Sequence, residues 1–283
     1  MANENLTIAL ISPGAMGSAV ASRLTAAGFT VLTSLEGRSN RTRDRARAAG
    51  MQPVGDADLA AADIVLSVVP PADALPLVER LLPHIAARPD KPLYVDANAL
   101  SPGSKRHLAE RLQSSDCTMV DGSIIGPPPL DDGRRTSLFL AGPRAAEVAI
   151  LDGPGLAVTV LDGPVGAAAA LKMCFGGINK GIIGLAAAML LAAERHGAAE
   201  ALRAELGARL PDLMARFEKS MPDMFPKAYR WVAEMREIAQ FLVDDPDAAK
   251  LFEGLAGTYE HLATDMEGVQ SEIGVLKRAV EPR

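Results

Sequence analysis

The sequence predicts an α/β fold: a doubly wound, mostly parallel sheet in the N-terminal part, followed by an all-α C-terminal domain. Three observations predict it. Short apolar runs alternate with helical patterns over residues 6–141. Those runs are apolar at consecutive positions, as strands covered on both faces are. Past Gly163 no strand-like run recurs, and only helix formers remain. Residues 1–163 and 164–283 are therefore expected to form two domains.

The elements follow in order. Leu6–Ile11 is the first strand, ended by Ser12-Pro13-Gly14. Gly17–Ala27 is a helix with one apolar face and Gly28 as its stop. Phe29–Leu35 is a strand, and Asn40–Ala49 is a charged helix stopped by Gly50. Ile64–Val69 is a continuous apolar strand closed by Pro70-Pro71. Leu75–Ile85 is helical, with Pro76 and Pro83 near its ends, and Leu93–Asp96 is a strand. Ser101-Pro102 opens a helix over Lys105–Leu112. Thr118–Ser123 and Ser137–Ala141 are the remaining strands. Val165–Arg195 is an Ala-rich helix interrupted by Lys172, Gly176-Gly177 and Gly181. Ala198–Leu206, Leu210–Lys219, Lys227–Leu242 and Ala248–Thr264 are further helices, punctuated by Pro222, Pro226 and Pro246.

The chain has 283 residues, 48% apolar and 4% aromatic, with a formal net charge of −6. That is enough apolar length for a sizeable core, and it excludes a disordered or fibrous chain. The acidic balance argues against a general nucleic-acid binder. Cys117 and Cys174 form no disulfide framework and no C-x-x-C pair, which fits a reducing compartment. Met1–Asn5 is polar, so no signal peptide is expected. Ile182–Ala193 is short of a membrane span and flanked by charges, so it reads as a buried helix. A cytoplasmic protein without membrane or nucleic-acid partners is expected. His84, His107, His196 and His261 lack metal-ligand spacing, so no metal is expected.

The first strand–helix junction carries the chemistry. Ser12-Pro13-Gly14-Ala15-Met16-Gly17 stands in the place of the fingerprint G-x-G-x-x-G, with serine for the first glycine. Such a turn lets backbone amides and a helix N-terminus meet a pyrophosphate. This makes the first domain a candidate Rossmann domain. The second strand leads into Glu36-Gly37-Arg38-Ser39-Asn40-Arg41-Thr42. Two guanidiniums and the hydroxyls of Ser39 and Thr42 suit a 2′-phosphate, so NADP is expected in preference to NAD.

Met16-Gly17, Arg38-Ser39 and the motifs Asp63–Pro71, Val95–Pro102 and Asp121–Gly126 together resemble the β-hydroxyacid dehydrogenase superfamily. That group includes 6-phosphogluconate dehydrogenase, 3-hydroxyisobutyrate dehydrogenase and the imine reductases. The resemblance covers nearly the whole chain. Phe225–Met235 resembles a phosphogluconate-dehydrogenase-like C-terminal helical domain.

The resemblance implies an oxidoreductase that moves a hydride between nicotinamide and a small hydroxyacid-like or carbonyl substrate. Val69 and Pro70 then flank the cofactor. Asn98, where the family usually has serine, is placed to bond the nicotinamide ribose or amide. Ser123, Ile125 and Gly126 take the place of the substrate loop. Here the family's paired glycines are reduced to one, and Pro127-Pro128-Pro129 follows. Lys172 matches the catalytic lysine, and its apolar setting disfavours a permanent ammonium. The family's asparagine one turn on is replaced by Gly176, and Asn179 or Lys180 is expected to substitute for it. Lys227, Arg230, Trp231 and Glu234 share a helical face, with Lys227 and Trp231 as substrate contacts. The long apolar helices imply a homodimer. An imine reductase is the alternative activity, and a non-catalytic NADP-binding sensor is the alternative of another class.

Overall fold

The computed structural model describes residues 6–130, 133–153 and 155–281; Met1–Asn5, the stretch read for a leader, lies outside them. The chain divides into two compact units, Met1–Lys172 and Met173–Arg283. The division falls inside a long helix rather than at Gly163.

The first unit runs β1 (Thr7–Ile11), α1 (Ala15–Ala26), β2 (Thr30–Thr33), α2 (Asn40–Ala48), β3 (Gln52–Pro53) and α3 (Asp56–Leu59). It continues with β4 (Ile64–Ser67), α4 (Ala74–Ala86), β5 (Leu93–Asp96), α5 (Pro102–Gln113), β6 (Met119–Ile125), β7 (Thr136–Ala141) and β8 (Leu156–Val160). The strands form an 8-stranded sheet in the order β3-β2-β1-β4-β5-β6-β7-β8. All neighbours are parallel except β6 and β7. The order reverses between β1 and β4, and their carboxyl ends make the crevice where such sheets bind ligands.

Alternation along β1 explains why both faces are covered. Ile8 and Leu10 pack with Val20, Ala21 and Leu24 of α1, while Ala9 and Ile11 pack with Leu77, Val78 and Leu81 of α4. β3, α3 and β8 were not expected from the sequence. β8 is an edge strand whose last residues, Thr159 and Val160, are exposed, so its apolar pattern is weak.

The long helix α6 (Ala167–Arg195) is followed by α7 (Ala199–Arg209), α8 (Pro211–Met224), α9 (Ala228–Phe241), α10 (Pro246–Glu267) and α11 (Ser271–Ala279). By length and composition α6 is apolar enough to cross a membrane. In the second unit one of its faces is buried against neighbouring helices through glycines. A Cβ on Gly177 would lie 3.1 Å from Phe252 Cζ, and one on Gly184 would lie 2.9 Å from Leu255 Cδ2. α11 is a further element not anticipated; its opening amides at Ser271 and Ile273 donate to the Asp265 carboxylate.

Candidate functional site

β1 is followed by Ser12, which holds φ at +76°. This is the left-handed region that the fingerprint glycine normally fills. Gly14 N donates to the Ser12 carbonyl at 2.8 Å, which tightens the turn. Pro13 is buried beneath it, and Met16 packs into the sheet–helix core. Gly14 is the N-cap of α1; no side chain caps the helix, and its first turn holds no acidic residue. Nothing lies within 4 Å of where a Gly14 Cβ would stand. The backbone at Gly14, Ala15 and Met16 is thus open to a phosphate, which helix N-termini attract. A Cβ on Gly17 would collide with the Ser12 carbonyl oxygen and lie 3.1 Å from Leu10 Cδ2, so that glycine serves strand–helix packing.

The next strand over, β2, pairs parallel with β1 and leads to the arginine loop. Ser39 caps α2: its hydroxyl accepts from Thr42 N at 3.4 Å and lies 3.1 Å from Thr42 Oγ1. The two hydroxyls therefore hold each other at a helix start. Among the described residues, neither the Arg38 nor the Arg41 guanidinium has a carboxylate partner. Arg38 is half-buried and Arg41 exposed. The loop therefore carries two arginines after the strand that neighbours β1.

After β4, Val69 is buried and Pro70 is exposed, opening a short 3-10 turn. Asn98, expected to bond the cofactor, has partners within the chain. It is 2% exposed, and its amide is satisfied within the chain. Its Oδ1 accepts from Val69 N at 2.6 Å, and its Nδ2 donates to Ser67 Oγ at 2.8 Å and Asp96 Oδ2 at 2.6 Å. The side chain braces the loop after β4.

Asp96 opens a cluster that sequence reasoning missed. Lys105 is 0% exposed; its ammonium donates to Asp96 Oδ1 at 2.5 Å, to the Asp96 carbonyl at 2.6 Å and to the Gly122 carbonyl at 2.9 Å. Asp121 Oδ1 lies 3.4 Å from the same nitrogen. Asp121 Oδ2 accepts from the amides of Gly166, Ala168 and Ala169, and so caps α6. A sequence signal existed: Lys105 lies on the inward stripe with Pro102, Leu108 and Leu112. Tyr94 on β5 is fully buried, and burial, reinforced by the Asp96 charge, pushes its phenol well above the usual range.

Ser123 is fully buried on β6, and among the described residues its hydroxyl has no hydrogen-bond partner. Ile125 is half-buried; Gly126 is exposed with φ at +120°, where only glycine is unstrained. Lys172 is half-buried on α6, six residues past the Gly166 amide held by Asp121.

The second unit holds the other candidates. The Asn179 side-chain oxygen accepts from Arg216. Lys180 pairs with Glu234 and lies 5.6 Å from the Trp231 ring centroid. Trp231 meets Tyr259 edge-to-face at 5.2 Å, and the Tyr259 hydroxyl donates to the Lys180 carbonyl at 2.5 Å. Both expected substitutes for the missing asparagine are thus engaged by neighbours. Glu237 is raised above the usual carboxylate range by burial and by the charge of Glu234. Lys227 is exposed at the start of α9 and joins none of these contacts. Among the described residues no group of acidic, histidine and cysteine side chains is gathered to hold a metal.

Residues 7–99 match the family described as NADP oxidoreductase coenzyme F420-dependent, and residues 193–262 match a domain of unknown function, DUF1932. No curated protein matches the chain. Among solved structures, the conserved protein MTH1747 of unknown function, described as structurally similar to 3-hydroxyacid dehydrogenases, is 28% identical. That match covers 91% of this chain and 99% of the other, with a TM-score of 0.74. A conserved hypothetical protein from Sinorhizobium meliloti 1021 is 24% identical, covers 98% of each chain and has a TM-score of 0.81. The 3-hydroxyisobutyrate dehydrogenase of Mycobacterium tuberculosis is 18% identical over 96% and 99% of the chains, TM-score 0.70. A Streptomyces aurantiacus imine reductase is 20% identical over 96% and 99%, TM-score 0.53. These matches agree with the superfamily that the motifs resemble. The chain has the fold of hydroxyacid dehydrogenases and imine reductases, which are NAD(P)-dependent oxidoreductases.

Proposed function

We propose that the chain is an NADP-dependent oxidoreductase acting on a small hydroxyacid-like or carbonyl substrate, with Lys172 as general acid and base. One observation carries the reading. After the adjacent strands β1 and β2, an uncapped helix N-terminus is followed by two arginines without carboxylate partners among the described residues. The first suits a pyrophosphate and the second a 2′-phosphate.

When bound, NADPH supplies the hydride. The backbone at Gly14–Met16 binds its pyrophosphate. Arg38 and Arg41 hold the 2′-phosphate, with Ser39 and Thr42 fixing the loop between them. Val69 and Pro70 wall the site and exclude water, while Asn98 holds Val69 in place. Lys172 Nζ gives a proton to the substrate oxygen as the carbon is reduced, and takes it back in the reverse direction. Ser123 and the amide at Gly126 orient the substrate's polar end.

The test is a fluorescence titration with NADPH and NADH, followed by NADP+ reduction over a panel of hydroxyacids and NADPH consumption over a panel of carbonyl compounds and cyclic imines. Turnover of the first two classes supports the reading. The imine-reductase reading draws on Gly176, which leaves the turn after Lys172 without the family's polar side chain; consumption with imines alone would select it. Binding without turnover anywhere on the panel would select a sensor.

A second copy of the chain is the proposed partner, and the cytoplasm the proposed compartment. Phe175, Ile178, Leu185 and Met189 on α6 are 53%, 65%, 55% and 52% exposed. Their spacing sets them along one helical stripe. Large exposed apolar stripes of this kind mark association surfaces.

A further inference from the structure

A buried polar path joins the loop after β4 to the first turn of α6, wholly within the first unit. The Val69 amide donates to Asn98 Oδ1 at 2.6 Å, and Asn98 Nδ2 donates to Asp96 Oδ2 at 2.6 Å. Asp96 Oδ1 lies 2.5 Å from Lys105 Nζ, and that nitrogen lies 3.4 Å from Asp121 Oδ1. Asp121 Oδ2 accepts from Gly166, Ala168 and Ala169 at 2.9, 2.9 and 3.1 Å. Asp96, Lys105 and Asp121 are 0% exposed.

Stability is a poor reason for such a path. Buried ion pairs can be exchanged for apolar packing with little loss, because desolvation offsets their attraction. Apolar packing does not supply direction, however, whereas Lys105 hydrogen-bonds both Asp96 and the Gly122 carbonyl next to Asp121 and faces the Asp121 carboxylate as an ion pair. The path fixes the spacing between the loop that walls the cofactor and the helix turn just ahead of Lys172. Gly122 makes room for it: a Cβ there would stand 3.1 Å from the Asp96 carbonyl, beside the oxygen to which Lys105 also donates.

We propose that Lys105 is a positioning residue. With Asp96 and Asp121 it sets the first turn of α6 against the Val69–Pro70 loop, so that cofactor binding at the loop is felt at the helix that carries Lys172. The proposal rests on the reading of this edge as the NADPH site.

Hydrogen exchange read by mass spectrometry on the full chain tests it without any substrate. Segments 64–72 and 163–172 are compared with and without NADPH. In the unaltered chain NADPH slows exchange in both, by about threefold or more. Lys105→Met cuts the path at its centre. Asp121→Asn removes the carboxylate that faces Lys105 and leaves the Lys105–Asp96 pair and the loop after β4 untouched, which keeps the test readable where the lysine variant does not fold. In the folded variants NADPH still slows 64–72 and no longer slows 163–172. The proposal is overturned if NADPH slows only 64–72 in the unaltered chain, or if the variants respond in both segments as before. No slowing of 64–72 in the unaltered chain is a separate result: it removes the cofactor reading, and the proposal with it.

Discussion

The carbonyl oxygen of Ser12 stands where the Cβ of any side chain at position 17 would have to be. The first turn of α1 closes on the end of β1 only because Gly17 has no side chain. Gly17→Ala is therefore expected to lose about 1–3 kcal/mol of stability by overpacking, read as a lower denaturation midpoint, and to weaken NADPH binding. Ser12 adds a second constraint through its φ of +76°. Ser12→Gly should leave the midpoint unchanged or raise it, whereas a β-branched Ser12→Val should lower it. Equal tolerance of glycine and valine would contradict the turn geometry.

Arg38 is assigned the 2′-phosphate. A hydrogen bond to a charged group contributes about 1.5–3 kcal/mol, so Arg38→Ala should weaken NADPH binding by about 10- to 100-fold. NADH, which lacks that phosphate, should bind as before. Parallel fluorescence titrations decide the matter, and equal losses for both nucleotides would remove the assignment.

Glycines in the second unit fall into two kinds. A Cβ on Gly184 would press on Leu255 Cδ2 at 2.9 Å and on the Tyr259 hydroxyl at 3.1 Å, whereas nothing lies within 4 Å of one on Gly257. Gly184→Ala is expected to destabilise by about 1–3 kcal/mol. Gly257→Ala, on the exposed side of α10, should stabilise by about 0.5–1 kcal/mol through helix propensity. Thermal melts of the two variants should move in opposite directions.

Ile178 is 65% exposed and Leu185 55% exposed on the apolar stripe of α6. Ile178→Glu and Leu185→Glu should convert a dimer to a monomer in sedimentation velocity with little change in far-ultraviolet circular dichroism. An unaltered chain that sediments as a monomer at micromolar concentration would remove the second copy as partner.

The sheet was largely legible because its central strands are local signals. Ile64–Ser67 and Leu93–Asp96 are buried at every position, and turn residues bound them. β8 was not, since its burial fades along the strand, and α11 was not, since it is short and follows the left-handed Gln270. The site divides the same way. Ser12–Gly17 and Arg38–Thr42 are contiguous, so their chemistry can be read along the chain. Asp96, Lys105 and Asp121 lie on β5, α5 and β6 and meet only through the sheet order. Asn98 was aimed at the cofactor by resemblance; what the sequence did not show is that Asp96, two residues back, and Val69 take its amide. Gly177 read as an interruption along the chain, but it and Gly184 let α6 pack closely against Phe252 and Leu255.

Lys172 is assigned the proton transfer in a reaction driven by NADPH. The direct measurement pairs NADPH binding with NADPH consumption in the unaltered chain and in Lys172→Met, using a substrate that the panel turns over. Binding should stay within about threefold of the unaltered chain while the turnover number falls by about 10²- to 10⁴-fold, the usual contribution of general acid–base catalysis. Unchanged turnover in Lys172→Met would contradict it.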